Sequence, residues 1–162
     1  MTGAPPTGAS PAPPGLDYAF SVRVRVGAPL ELGETATGRR RVIPILGGEV
    51  DGPRLAGEVV PGGADWQSLR ADGTADLVAR YTLRAADGTL IGVVNRGLRR
   101  GPPEVLARLA AGASVSPDLY YFRATPRFEA PPGPHGWLAD HVFVATGERR
   151  AAMVLLAFFL LR

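Results

Sequence analysis

The sequence predicts an all-β protein, a single antiparallel β-barrel of about 8–10 strands with one short helix. Three observations predict it. Short runs of alternating apolar and polar residues recur along most of the chain, separated by Gly-, Pro- and Asp-containing turns. Only one segment carries helix signals. The stretch from Gly47 to Gln67 holds two Gly-Gly pairs, two further glycines and two prolines inside strand-like sequence, a density that marks bulges, tight turns or close backbone approach. A two-sheet sandwich would also accommodate so many strands. Closure into a barrel is preferred because it removes exposed edges and suits the very apolar final segment.

Residues 1–15 are mostly Pro, Gly, Ala and Ser and are expected to form a disordered tail, leaving 16–162 as one barrel domain. From Tyr18 to Val26, Phe20, Val22, Val24 and Val26 alternate with Ser21, Arg23 and Arg25, the pattern of a half-buried strand. Further strands are expected over Arg40–Leu46, Arg54–Val60, Ala64–Leu69, Ala75–Ala85, Thr89–Arg96, Leu119–Arg127, Trp137–Ala145 and Arg150–Leu161. Asp87-Gly88 and Thr146-Gly147-Glu148 read as hairpin turns between neighbouring strands. The helix is expected to start at Pro102-Pro103-Glu104, to present Leu106 and Leu109, and to end at Gly112.

Composition removes several chemistries. The chain has no cysteine, so disulfides, thiolate metal sites and a cysteine nucleophile are excluded. All 18 basic residues are arginine, which excludes Schiff-base chemistry on lysine. The net charge of +3 is mild and aromatic residues make up 7%, so no basic stripe interleaved with stacking rings points to nucleic acid. The start of the chain lacks a basic and apolar leader, and the apolar run from Ala151 to Leu161 is shorter than the roughly 20 residues a membrane helix needs. A cytoplasmic protein with no membrane partner is expected.

Several residues are candidates for chemistry. Asp65, beside Trp66 at a Gly-rich bend, would be a proton-transfer group if desolvated, or an Asx-turn residue beside a core ring. Arg80 would hold an anion if its strand face points inward, and would then need Asp65 or Glu129 as partner. Tyr121 and Arg123 share a strand face that would make a pocket wall or an outer aromatic cluster. Asn95 would orient a ligand or close a turn. His135 and His141 are the only histidines and their spacing fits no familiar metal site, so no metal or cofactor is expected. Neither a G-x-S-x-G elbow nor a phosphate-binding glycine loop is present.

The segments Gly38-Arg39-Arg40, Gly47-Gly48, Pro61-Gly62-Gly63-Ala64-Asp65-Trp66, Arg80-Tyr81, Asn95, Tyr120-Tyr121-Phe122-Arg123, Phe128-Glu129 and Trp137-Leu138 occur in the order of a known family. From about Phe20 to its end the chain resembles the β-barrel proteins called domain of unknown function 3237, or uncharacterised protein family 0311. The resemblance implies a barrel whose pocket is lined by some of these polar residues, and it implies no activity. The Pro/Gly tail and the unusually apolar last strand depart from the pattern; that strand would serve a homo-oligomer contact or an apolar interior.

The leading expectation is a cofactor-independent enzyme, such as a cyclase or isomerase, acting on a small apolar metabolite inside the barrel. In it Asp65 or Glu129 moves a proton, Arg80 or Arg123 steadies oxyanion charge, and Trp66, Tyr121, Asn95 and Trp137 bind substrate. The alternatives are a carrier or sensor of a small hydrophobic ligand, and an interaction barrel with a filled core.

Overall fold

Strand-forming alternation dominates the chain, and the computed structural model, which describes Gly8 and residues 11–162, resolves it into nine strands and one α-helix. The strands are β1 (Leu16–Val26), β2 (Leu30–Thr35), β3 (Gly38–Asp51), β4 (Gly57–Leu69), β5 (Ala75–Ala85), β6 (Leu90–Arg100), β7 (Tyr121–Glu129), β8 (Phe143–Arg149) and β9 (Met153–Leu161). The helix α1 (Pro103–Ala110) follows β6, with proline in its first turn. Most of the tail expected over 1–15 lies outside the described residues.

Every strand pairing is antiparallel, in the order β1-β9-β8-β7-β6-β5-β4-β3, and β1 pairs again with β3 to close an eight-stranded barrel. The short β2 pairs only with the first part of β3, Leu30 opposite Val42, and so extends that strand as a hairpin beyond the closed wall. The seam between β7 and β8 is thin, with register partners only at Arg123–Thr146 and Ala124–Ala145.

The glycine-dense stretch does what its composition predicts. The β3–β4 register slips between Pro44 and Gly48, and the β4–β5 register between Val60 and Ala64, so two bulges bend the wall. These bulges join the two runs expected over 54–60 and 64–69 into the single strand β4. Gly48 sits so close to β1 that a Cβ there would lie 2.0 Å from the Arg23 carbonyl oxygen. Only glycine allows the barrel to close at that point.

Inward side chains follow the alternation. Phe20 and Val22 are fully buried, with Val24 and Val26 nearly so. The two ends of the barrel are filled differently. At one end Phe20, Phe128, Phe143 and Phe158 pack ring against ring with centroids 5.0–5.8 Å apart. Leu138 closes this end, and Arg54 stacks on Trp137 at 3.9 Å beside it. At the other end lie the β2–β3 hairpin and α1, whose Val105 and Leu109 are buried.

Three local expectations are corrected. Leu30–Thr35 is a strand, although its Glu and Gly content gave no clear alternation. Trp137 lies in a short 3-10 helix, Gly136–Leu138, because the loop before it turns in the proline-rich 130–134 segment; β8 begins only at Phe143. Thr146-Gly147-Glu148 belongs to β8 and not to a turn, and Gly147 is required there because the Phe122 ring occupies the space of a Cβ, at 2.7 Å.

Candidate functional site

The half of the barrel opposite the phenylalanine cluster is not filled. The register explains why. Asp65 on β4, Ala79 on β5 and Asn95 on β6 lie side by side on one level, and Gln67, Leu77, Gly97 and Ala124 form the next. The small residues Ala79, Gly97 and Ala124 leave room that larger inward side chains would occupy. The result is an interior cavity of about 50 Å³, space for a few waters or one end of a small molecule. Val24, Val26, Ile43, Leu77, Phe122 and Leu156 give it apolar walls. It adjoins a groove of about 1000 Å³ between the β2–β3 hairpin and α1, with Ile43, Arg99 and Arg149 lining both.

Polar groups converge on this cavity. Arg41 Nε donates to Gln67 Oε1 at 2.7 Å, and Gln67 Nε2 donates to Asp65 Oδ2 at 2.7 Å. Gln67 is only 1% exposed, so this chain of bonds is held rigidly. Burial raises the Asp65 pKa; the Gln67 bond and the Arg99 and Arg41 charges oppose the rise without cancelling it. Burial, with a smaller contribution from the Asp65 charge, also raises the Tyr81 pKa, so its phenol stays neutral. Asp65 Oδ1, the Tyr81 hydroxyl, Asn95 Oδ1 and Arg149 Nη1 are buried without a hydrogen-bond partner, and all four residues line the cavity. Orphaned polar atoms of this kind are uncommon in a packed interior and concentrate where a ligand or water binds.

Arg99 is 8% exposed and takes part in no side-chain hydrogen bond or ion pair among the described residues. Burial, then the Arg41 and Arg149 charges, lower its pKa to about 10. Burial also lowers the pKa of Arg41 and of Arg149.

Of the eight residues named from the sequence, the structure brings two, Asp65 and Asn95, to the cavity. The other six lie elsewhere. On β5 the inward face is Leu77, Ala79, Tyr81 and Leu83, so Arg80 is exposed on the outer wall, where it shares a shallow groove with Trp66 and Glu129. On β7 Phe122, Ala124, Pro126 and Phe128 point inward, which puts Tyr121, Arg123 and Glu129 outside. Trp137 belongs to the opposite, filled end. Asn95 sits in mid-strand on β6, not at a turn.

Sequence reasoning missed Gln67, Tyr81, Arg41, Arg99 and Arg149. A period-2 signal was present for all but Tyr81. Gln67 is two residues from Asp65, Arg99 four from Asn95, Arg41 two from Ile43, and Arg149 follows Phe143, Ala145 and Gly147 on one face. Among the described residues no cluster of His, Asp or Glu is arranged to hold a metal ion. His135 Nε2 instead meets Asp87 Oδ2 at 2.9 Å and His141 Nδ1 meets the Trp137 carbonyl at 2.8 Å. No helix among the described residues is long and apolar enough to cross a membrane.

Known proteins share this arrangement of strands. The family described as protein of unknown function (DUF3237) matches residues 14–161. A UPF0311 protein of Bradyrhizobium diazoefficiens is 45% identical over 145 residues, covering 88% of this chain and 95% of its own. The crystal structure of a conserved protein of unknown function from Rhodopseudomonas palustris superposes with a TM-score of 0.90 at 38% identity, over 94% of this chain and all of that one. A protein from Penicillium herquei described as an enzyme has the same fold, with a TM-score of 0.71 at 20% identity over 96% of this chain and 99% of its own. The chain belongs to the DUF3237 family.

Proposed function

We propose that this DUF3237 protein is a cofactor-independent enzyme that moves a proton on a small molecule held in the open half of its barrel, as an isomerase or cyclase does. The observation that carries the reading is the set of orphaned polar atoms on Asp65, Tyr81 and Asn95 around one apolar-walled cavity. A buried carboxyl with a raised pKa holds a proton more strongly than an exposed one, which suits it to take up a proton and return it during a reaction. The Arg41–Gln67 chain fixes one of its oxygens and leaves Oδ1 for substrate.

In this reading Asp65 takes a proton from a carbon next to a carbonyl group. The Tyr81 hydroxyl donates a hydrogen bond to the carbonyl oxygen as it gains charge, and Asn95 Oδ1 accepts one from a neighbouring hydroxyl or amine. The enolate then collapses, by ring closure or by reprotonation at another carbon, and the proton on Asp65 returns to the product. Substrate and product are isomers, so no co-reactant is consumed. Cavity size sets the geometry: the reacting end enters the barrel and the remainder lies in the groove. That a distant protein of the same fold is described as an enzyme supports the reading.

The test is metabolite profiling of the producing strain with the gene intact, deleted, and replaced by the Asp65→Asn form. An intermediate that accumulates on deletion and is not cleared by a folded Asp65→Asn protein is the expected result. Clearance by Asp65→Asn at the wild-type rate would sink the acid–base mechanism. The same pocket would serve a carrier, and tight binding with no turnover of the accumulated compound would favour that reading.

A further inference from the structure

We propose that Arg41, Arg99 and Arg149 form a receptor for the carboxylate of an organic acid, so that the molecule taken into the barrel is a carboxylic acid with an apolar body. The proposal rests on the reading of the interior as a small-molecule site and adds the chemical class of the ligand.

Arg99 and Arg149 stand at the junction of cavity and groove, Arg41 lines the groove beside them, and the three act electrostatically on one another. Arg99 is buried and Arg41 and Arg149 are half-buried, and three like charges so placed are unfavourable unless an anion joins them. The acidic side chains nearby complete the cluster only in part: Glu31 acts on Arg41 from the rim of the groove. Glu31 lies 3.9 Å from Arg39 on the exposed rim, Glu148 pairs with Arg150, and Glu34 lines only the outer groove. Asp65 is the one carboxyl on the cavity side, and it can offset at most one of the three positive charges. Arg99 remains without a polar partner although more than nine-tenths buried, and Arg149 Nη1 is an orphaned buried donor.

The chemistry of the donors selects among anions. Guanidinium forks match the two oxygens of a carboxylate, and two forks approaching from β6 and β8 can share one such group. Inorganic phosphate would satisfy the charge but would gain nothing from the apolar walls formed by Val24, Ile43, Phe122 and Leu156. A neutral ligand of the same shape would leave the excess positive charge unanswered. The cavity then receives the body of the acid and presents it to Asp65.

The experiment is calorimetric titration with benzoate, benzyl alcohol and inorganic phosphate. The proteins are the wild type, Arg99→Gln and Arg149→Gln, each checked for folding by circular dichroism. The wild type is expected to bind benzoate at least about 10-fold more tightly than either other probe. Arg99→Gln and Arg149→Gln should each weaken benzoate by about 10-fold or more. Failure of benzoate to bind, benzyl alcohol or phosphate binding as well as benzoate, or undiminished benzoate affinity in both folded arginine variants would overturn the proposal. Benzoate binding needs no turnover. Loss of turnover in Asp65→Asn without benzoate binding therefore removes only the carboxylate receptor, and the converse removes only the proton-transfer mechanism.

Discussion

Replacing Arg99 by methionine should make the protein more stable. Burial and two like charges depress the Arg99 pKa to about 10, whereas the unfolded chain keeps the ordinary, higher guanidinium value. At about 1.4 kcal/mol per pH unit, holding Arg99 charged in the folded state costs about 3 kcal/mol. The cost is present throughout the neutral range, because the group is protonated in both states there. It is relieved only above about pH 10, where the folded form begins to release the proton and the unfolded form has not. Methionine keeps much of the apolar stem and removes the charge, so a gain of about 1–3 kcal/mol is expected. For a chain of this length that is a rise in Tm of roughly 2–12 °C. Thermal and urea unfolding at pH 7 measure it. Benzoate at about a hundred times the wild-type Kd should raise wild-type stability by about 2.7 kcal/mol and that of a variant binding 10-fold more weakly by only about 1.4 kcal/mol. A variant less stable than wild type by more than about 1 kcal/mol would show that Arg99 is a compensated structural cation, and would refute the reasoning.

Other perturbations have defined signs. Because burial raises the Asp65 pKa, the folded protein binds that proton more tightly than the unfolded one and loses stability as pH rises from about 4 through the folded value. Asp65→Asn should therefore match wild type at the acid end and exceed it at pH 7, and a stability difference that does not vary with pH in urea unfolding would contradict this. Phe158→Ala, at a fully buried ring touching Phe20 and Phe128, should cost about 3–5 kcal/mol in the same assay. Gly48→Ala should destabilise far more than Gly88→Ala, since the first drives a methyl into the Arg23 carbonyl and the second meets open space and costs only about 1–2 kcal/mol of backbone strain. Equal melting temperatures for the two would argue against closure of the barrel at Gly48.

Much of the architecture was legible because strand alternation is a local property. Phe20, Val22, Val24 and Val26 announce their own face, and Ala75–Ala85 has the bounds its pattern predicts. Which face of a strand points into a barrel is settled by closure, which is not local. On β5 both faces carry apolar residues, so Arg80 and Tyr81 were interchangeable until the strand was placed between β4 and β6. On β7 the distinction was present, since Phe122, Ala124 and Phe128 share a face that excludes Tyr121 and Arg123. Residue chemistry drew attention to the wrong side. The cavity was illegible for another reason: it depends on Ala79, Gly97 and Ala124 meeting across three strands, and each alone is an unremarked small residue. Arg41, Arg99 and Arg149 come together from three separate strands for the same reason.

The phenylalanine cluster at the closed end has an evolutionary consequence. Cohesion of the barrel is concentrated in Phe20, Phe128, Phe143 and Phe158, well away from the residues that meet a ligand. Exchanges at Ala79, Gln67 or Asn95 can therefore be tried without dismantling the scaffold, and loss of a charge such as Arg99 even releases spare stability. A barrel partitioned in this way can acquire new specificities by single substitutions at one rim. One architecture can in that way serve chemically unrelated small molecules.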